Sequence, residues 1–283
     1  MSRPRREITT FLLIAFAIAL GLAVALPHAG ITALLSALAP VTAVLVITAA
    51  TPRGRRRDLW GSFGLRRSGR SVWVIATATP LLLAGGAYAV AIALDVADLR
   101  PLDVTVRGVS LATATLLTNL LTMAVILLGE EIGWRGYLLP RVQQLTSRRR
   151  AALVTGFAHG CFHLPLILLA TTYDQYGSRW FVAPVVVATI TLGGVFYAYL
   201  WDRTGSVWPV SLAHAAVNTA FFAGAGAVVA GSETDLAYVA GESGLATFGV
   251  VAALATVLLT RARVWRPDTT DLTAGPRELQ PTR

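Results

Sequence analysis

Eight stretches of the chain are apolar over a length that suits a membrane-spanning helix. A helix needs about 20 mostly apolar residues to cross the hydrocarbon core of a bilayer. The stretches cover roughly residues 9–26, 31–50, 72–94, 111–128, 151–170, 181–200, 208–230 and 245–260. Pro80, Pro165 and Pro184 lie within three of them and predict kinks, because neighbouring groups can satisfy the freed backbone carbonyls. We therefore expect an all-α, polytopic membrane protein with about eight transmembrane helices.

The composition fits this class and excludes others. Only 14% of the residues are charged and 55% are hydrophobic, with a mean hydropathy of +0.63, whereas soluble domains contain about 25% charged residues. The chain is therefore neither an ordinary water-soluble domain nor an intrinsically disordered one. Its single cysteine, Cys161, excludes an internal disulfide framework and a multi-cysteine zinc site.

The positive charge predicts an orientation. All 24 positively charged side chains are arginines, and the net charge is +9. With the N-terminus in the cytoplasm, only Arg100, Arg107 and Arg179 fall in outer loops, and the other 21 lie on the cytoplasmic side. This asymmetry follows the positive-inside rule, so the lipid bilayer rather than a nucleic acid accounts for the charge. We expect a multi-pass protein of the cell (cytoplasmic) membrane with both termini in the cytoplasm; the arginine- and alanine-rich, lysine-free composition is typical of a GC-rich bacterial genome.

The spans form one domain with short flanks. We expect a cytoplasmic N-terminal segment at residues 1–8, a transmembrane domain at 9–262, and a disordered cytoplasmic tail at 263–283, which is rich in Pro, Thr and charge. The start, basic and then apolar, is similar to a signal peptide. Because its apolar run is long enough to cross the bilayer, we predict an uncleaved first span.

Ionisable and strongly polar groups within the spans are concentrated in three segments. Such groups are costly in the bilayer and indicate function by default. They are Glu130, Glu131 and Arg135 at the end of the fourth span, His159 and His163 in the fifth, and His214 and Asn218 in the seventh. We predict that they line one cavity that opens towards the cytoplasm.

The spacing of these residues predicts how they pair. Side chains four residues apart share one face of a helix, so Glu131 and Arg135 can form an intrahelical ion pair. Glu130 points about 100° away from Glu131 and needs a partner from another span. The two histidines of the fifth span are also four residues apart, as are the histidine and the asparagine of the seventh.

Two interpretations of these groups stay open on spacing alone. Together, a spare carboxylate, two or three histidines and an asparagine can activate water and stabilise an oxyanion. Singly, a carboxylate at a helix end can be solvated, and His or Asn can link helices by hydrogen bonds. Cys161 is a poor candidate nucleophile, because its apolar surroundings disfavour the thiolate.

The three segments resemble the signature of the CPBP family of intramembrane proteases, which includes the enzymes that trim prenylated CAAX proteins and the bacterial Abi-type proteins. The first motif is two glutamates, three variable residues and an arginine; the second ends in a histidine followed by Leu-Pro; the third is a histidine, three residues and an asparagine. The matching residues are Glu130, Glu131 and Arg135, then His163, then His214 and Asn218. The motif-bearing region covers about residues 111–222, and its specificity lies in the ordered set.

The resemblance implies an intramembrane endopeptidase that needs no cofactor and cleaves a peptide or a membrane-associated protein. Glu130 and His163 would activate the attacking water, and His214 and Asn218 would form the oxyanion hole. Glu131 and Arg135 would support the site structurally. Nothing in the sequence names the substrate or fixes an oligomeric state.

One position departs from the family pattern and keeps alternatives open. His159 stands where the family usually has Phe or Trp, so it either fills the place of that aromatic or adds a metal ligand. A zinc peptidase with Glu130, His163 and His214 as ligands is the second hypothesis, although the His-Glu-x-x-His motif of common zinc proteases is absent. A non-catalytic membrane protein, such as a scaffold, an immunity protein or a carrier, is the third.

Overall fold

The computed structural model describes residues 2–101, 103–171 and 177–265, and these residues are mainly helical. The helices are α1 (Arg3–Ala25), α2 (Thr32–Ala37), α3 (Ala39–Ala50), α4 (Arg53–Gly61), α5 (Trp73–Ala93), α6 (Val106–Glu131), α7 (Leu139–Gln143), α8 (Arg148–Phe162), α9 (Leu164–Leu169), α10 (Arg179–Thr204), α11 (Trp208–Ala227), α12 (Glu233–Val239) and α13 (Leu245–Arg261). The all-α class predicted from the sequence is confirmed.

Six helical segments are long and apolar enough to cross a membrane, which makes this a multi-pass membrane protein. They are Arg3–Ala25, Thr32–Ala50, Arg70–Ala93, Val106–Gln143, Arg148–Leu169 and Arg179–Thr204. The seventh and eighth predicted spans correspond to α11 and to the 17-residue α13. The count of eight and the direction of each span across the membrane therefore stay predictions.

The prolines have different effects on the predicted spans. Pro80 and Pro184 lie inside α5 and α10 without ending either helix. At Pro165 the fifth span is interrupted instead, since α8 ends at Phe162 and α9 begins at Leu164. The second span is divided in the same way into α2 and α3, with Pro40 in the first turn of α3. Because proline lacks an N–H, it is favoured at such helix starts.

A small sheet joins the loops at one end of the bundle. Strands β1 (Ala97–Leu99) and β2 (Val228–Ala230) are antiparallel, with Ala97 opposite Ala230. They connect the loop after α5 to the end of α11, two helices that pack closely against each other. The pairing satisfies backbone groups of both loops and leaves the class of the fold unchanged.

Small residues allow α8 to approach α10 closely. A Cβ at Gly194 would lie 2.7 Å from the Cα of Gly156, and a Cβ at Gly160 would lie 2.7 Å from the carbonyl oxygen of Val187. Close backbone approach through small residues is the usual means of helix association in membranes. It fixes the position of α8, which carries His159 and is followed directly by His163.

Helical structure extends into both of the predicted flanking segments, and the domain boundaries themselves stay predictions. α1 begins at Arg3, so the predicted cytoplasmic segment 1–8 is largely part of the first helix. Residues Arg263–Trp265, predicted as the start of the disordered tail, form a 3₁₀ turn in which the buried Trp265 donates from Nε1 to Asp202 Oδ2 at 2.8 Å. The aromatic side chain explains the difference, because it packs on the bundle. Residues 266–283 of the predicted tail lie outside the described residues.

Candidate active site

The two glutamates of the first motif lie where α6 changes into a π-helix. α6 ends at Glu131, and Ile132–Leu138 form the π-helical segment that leads into α7. All seven residues of this segment are buried, and a Cβ at Gly133 would clash with Pro40 of α3. π-helical turns are rare and frequently occur at functional sites. Close packing on α3 thus holds the start of this segment, and with it both carboxylates, in place.

Both carboxylate oxygens of Glu131 are hydrogen-bonded to other side chains. Arg135 Nη1 donates to both of its carboxylate oxygens, at 3.0 and 2.9 Å, and His214 Nδ1 donates to Oε1 at 2.8 Å. The Glu131 side chain is 0% exposed and that of Arg135 is 1% exposed. A buried ion pair is tolerated only where further hydrogen bonds satisfy its charges. The ion pair that the spacing predicts is present, and His214 adds the further bond.

Glu130 is held at one oxygen only. Its Oε1 accepts hydrogen bonds from His159 Nε2 at 2.7 Å and from Trp134 Nε1 at 3.3 Å. Its Oε2 has no hydrogen-bond partner among the described residues, and the residue lines a cavity. The partner comes from another helix, as the spacing predicts. It is His159 rather than the motif residue His163.

The contacts of His159 assign its ring protons. Arg135 Nη1 lies 3.3 Å from His159 Nδ1, and a guanidinium can only donate. Nδ1 is therefore the acceptor, and Nε2 carries the proton that is donated to Glu130. The ring also stacks on Trp134, with centroids 4.9 Å apart and planes at 26°. His159 thus takes the packing place of an aromatic residue and adds a hydrogen bond to the carboxylate.

His163 leaves one ring nitrogen for chemistry. It lies between α8 and α9, and its Nδ1 donates to the carbonyl oxygen of His159 at 3.1 Å. In the neutral ring, Nε2 therefore carries the lone pair. Nε2 has no hydrogen-bond partner in the described ranges, and His163 lines the same cavity as Glu130.

The third motif places two more polar groups at this cavity. His214 and Asn218 lie one turn apart on α11 and both line the cavity. Because His214 Nδ1 donates to Glu131, its Nε2 stays available. The side-chain amide of Asn218 makes no hydrogen bond to any residue that the structure describes. Tyr197 packs beside His214, with ring centroids 5.3 Å apart, and also lies 4.7 Å from the Arg135 guanidinium. We call Glu130, Glu131, Arg135, His159, His163 and His214 the polar cluster.

The cavity is about 270 Å³ and is lined mainly by apolar side chains outside the polar cluster. Its lining includes residues near the start of α13 and Glu242 in the turn before it. Glu242 lies in a loop that the sequence predicts on the outer side, whereas Glu130 lies at the predicted cytoplasmic end of the fourth span. The π-helical segment and α7 continue the fourth span beyond Glu131. The two carboxylates therefore lie within this span rather than at its end, where the sequence predicted them. A cytoplasmic opening stays a prediction.

Three of the polar side chains are placed to bind a metal ion. The possible ligand atoms of Glu130, His159 and His163 all lie within 4.8 Å of one another. The predicted zinc set contained His214 in place of His159, and His214 does not belong to this group. A carboxylate and two imidazoles suit zinc chemically. Against this fit, His159 Nε2 carries a proton that a metal would displace, and the Arg135 guanidinium contacts the same ring.

Sequence reasoning missed three residues that form the site. Trp134 stacks on His159 and Tyr197 on His214, yet as aromatics in apolar helices they give no signal beyond packing. Glu242 lies in the loop between the seventh and eighth predicted spans, far in sequence from the motifs, and only the fold brings it to the cavity. Cys161, in contrast, is half-buried and does not contribute to the described lining.

A protein-family model matches the middle of the chain. Residues 111–220 match the family model described as "Type II CAAX prenyl endopeptidase Rce1-like". That segment contains all three motifs and ends just after Asn218. A search of the curated proteins finds no match.

Proposed function

We propose that this chain, a member of the CPBP family by residues 111–220, is an intramembrane endopeptidase that uses a water molecule activated by Glu130 and His163. The family indicates a CAAX protease-type membrane peptidase acting on a peptide or protein. The observation that carries the finer proposal is the one-sided bonding of Glu130. Its Oε1 is fixed by His159 and Trp134, and its Oε2 faces a cavity with no hydrogen-bond partner among the described residues.

The first step is the activation of water. A water molecule between Glu130 Oε2 and His163 Nε2 can donate one proton to each. As the oxygen attacks the carbonyl carbon of the substrate, Glu130 takes its proton, which leaves a neutral carboxylic acid and a tetrahedral oxyanion. A positioned general base of this kind accelerates a reaction by about 10²–10⁴-fold. Because His159 donates a hydrogen bond to Oε1, Oε1 takes no part in this proton transfer, and Oε2 is oriented towards the water.

His214 and Asn218 are the donors for the oxyanion. The Asn218 amide has no other partner among the described residues. His214 already donates from Nδ1 to Glu131, so it can also donate from Nε2 only as an imidazolium, which the Glu131 carboxylate stabilises. As the tetrahedral intermediate collapses, the proton on Glu130 passes to the amine that leaves. The base is thereby regenerated, and one water is consumed for each bond cleaved.

The test compares protein termini in membranes. A strain that lacks the gene is complemented with the wild type, with Glu130→Gln, or with Glu233→Gln, a matched change at an exposed acid on α12. We expect new peptide termini with the wild type and Glu233→Gln and none with Glu130→Gln. Equal amounts of monodisperse protein must be present in each strain. If Glu130→Gln produces the same termini as the wild type, the mechanism is wrong.

A zinc peptidase is the second candidate, and the ligand geometry of Glu130, His159 and His163 favours it. It predicts about one zinc ion per chain in the purified active protein and loss of activity with a chelator. It also predicts that His159→Phe removes both the metal and the activity. Full activity in metal-free protein would eliminate this candidate and leave the metal-independent mechanism.

A further inference from the structure

The cavity contains a second charged position outside the polar cluster. Glu242 lies in the turn between α12 and α13 and lines the same cavity as Glu130, His163 and His214. α11 and α13 contribute mainly apolar side chains to the lining, among them Val217, Phe221, Val251 and Leu254. A carboxylate in such surroundings stands out, because the other ionisable side chain that α11 and α13 place on the described lining is His214.

The turn that carries Glu242 is held without the help of its carboxylate. Gly244 N donates to the carbonyl of Gly241 at 2.9 Å, and the buried Thr247 hydroxyl donates to the carbonyl of Ala240 at 3.1 Å. A Cβ at Gly244 would clash with the carbonyl of Val239. The backbone position of Glu242 is thus fixed by its neighbours, and its side chain plays no part in building the turn.

The carboxylate itself has no direct partner. Within the described ranges Glu242 makes no hydrogen bond and no ion pair, and its side chain is accessible. The surrounding protein nevertheless raises the pKa of the Glu242 carboxyl by desolvation, and His163 and His214 partly offset that rise. An acid on the outer surface of a loop would have neither effect. The carboxylate thus lines the same cavity as both histidines.

The charges along the wall are of one sign apart from the histidines. Glu130 and Glu242 line the cavity, and no arginine belongs to its described lining. A carboxylate on a wall of low dielectric constant attracts ligands of the opposite charge. Building on the proposed function, we propose that Glu242 is a substrate-binding residue that selects peptides with an ammonium or guanidinium group at a fixed distance from the scissile bond.

An organic cation fits this position better than a metal ion. Metal ions such as Ca²⁺ require several oxygen ligands, and Glu242 does not belong to the possible metal-binding group found among the described residues. A single carboxylate is enough to bind an ammonium or a guanidinium group. The group can be the side chain of Lys or Arg or the free amino terminus of the substrate, and the two sources are separated by experiment.

The experiment measures binding, so it does not depend on turnover. The full-length Glu130→Gln protein in nanodiscs is titrated with short fluorescent Leu/Ala peptides that carry Lys, norleucine or Glu at one position, scanned along the peptide, each with a free or an acetylated amino terminus. We expect about tenfold tighter binding for the cationic peptide at one register, as for a charge-assisted hydrogen bond. If acetylation removes the preference, the amino terminus of the peptide is the cation that Glu242 binds. If replacement of Lys by norleucine removes it, the Lys side chain is that cation.

Variants of Glu242 decide the proposal. Glu242→Gln should abolish the preference for the cation, and Glu242→Arg should reverse it in favour of the Glu peptide. Glu233→Gln, the exposed neighbour on α12, should keep it. An unchanged preference in Glu242→Gln, or no preference in the protein with Glu242 intact, overturns the proposal. Cleavage by Glu130→Gln in the membrane assay would instead overturn the mechanism and leave this binding result standing.

Discussion

Glu130 and Glu131 are adjacent in the sequence and equally buried, yet the fold treats them in opposite ways. Both oxygens of Glu131 are bonded to Arg135, and one also accepts from His214. Glu130 is bonded at one oxygen, by His159 and Trp134, and its other oxygen has no partner among the described residues. The comparison separates a carboxylate that stabilises the fold from one that is available for chemistry.

The difference follows from helix geometry. Successive residues on a helix point about 100° apart, so one carboxylate turns towards Arg135 and α11 and the other towards α8. The buried charge of Glu131 is balanced within the protein, whereas the charge of Glu130 is stabilised through one oxygen only. Changes on the Glu131 side should therefore alter stability first, and changes on the Glu130 side should alter activity first.

The largest effect is expected from Arg135→Met, which leaves Glu131 buried without its counter-ion. Removal of one partner of a buried pair costs about 3–5 kcal/mol. We expect a large fall in Tm in detergent and a low yield of monodisperse protein. Glu130→Gln is the control, since the amide keeps an acceptor for His159 and should leave Tm nearly unchanged. Equal losses of Tm in the two variants would contradict the division between the glutamates.

Asn218→Ala tests the open side of the comparison. The loss of one oxyanion donor typically lowers kcat by about 10²–10³-fold. Because the amide has no partner among the described residues, we expect the Tm of the variant to equal that of the wild type. Thr219→Ala, one residue along α11, is the contrast: Thr219 donates to Asn119 at 2.8 Å and should affect stability but not kcat. An Asn218→Ala protein with full kcat excludes the proposed donor.

The sequence predicts the partner of Glu131 better than the partner of Glu130. The four-residue spacing of Glu131 and Arg135 is local, so helix geometry alone pairs them, and the apolar lengths locate the helices that carry the motifs. The partner of Glu130 depends on how α8 packs against the π-helical segment, which no local spacing specifies. The family resemblance links Glu130 to His163 through a water molecule, and it gives no direct hydrogen-bond partner for Glu130; in the structure that partner is His159.

Other features were unpredictable for related physical reasons. The π-helical segment requires an extra residue per turn, and it is stabilised by contacts of Gly133 and Gly136 with α3 and the loop after α4. These contacts are tertiary, so composition does not reveal them. Glu242 is distant in sequence from every motif and reaches the cavity only because α13 packs against α5 and α10.

His159→Phe breaks the link between the two glutamates, since His159 contacts both Arg135 and Glu130. The phenyl ring keeps the stacking on Trp134 but removes the hydrogen bond to Oε1. We expect kcat to fall about tenfold, the worth of one charge-assisted hydrogen bond, with KM unchanged. His159→Gln retains a donor and should recover part of kcat. A parallel rise in KM, or no recovery with Gln, would show that His159 only packs.

The smallest effect on kcat is expected from Trp134→Phe, which removes one of the two donors to Glu130. The bond from Trp134 Nε1 is long, at 3.3 Å, and Glu130 Oε1 keeps the shorter bond of 2.7 Å from His159. The removal of a weak, redundant donor should lower kcat by about two- to threefold, in line with a contribution below about 1 kcal/mol. The smaller ring also leaves Phe11 and Phe162 less well packed, so Tm should fall modestly.

In the double variant with His159→Phe, Oε1 loses both donors, and the loss of kcat should exceed the product of the two single losses. If the loss of kcat in the double variant equals the product of the two single losses, the two donors act independently. Their common acceptor, Oε1, would then not be what positions Glu130.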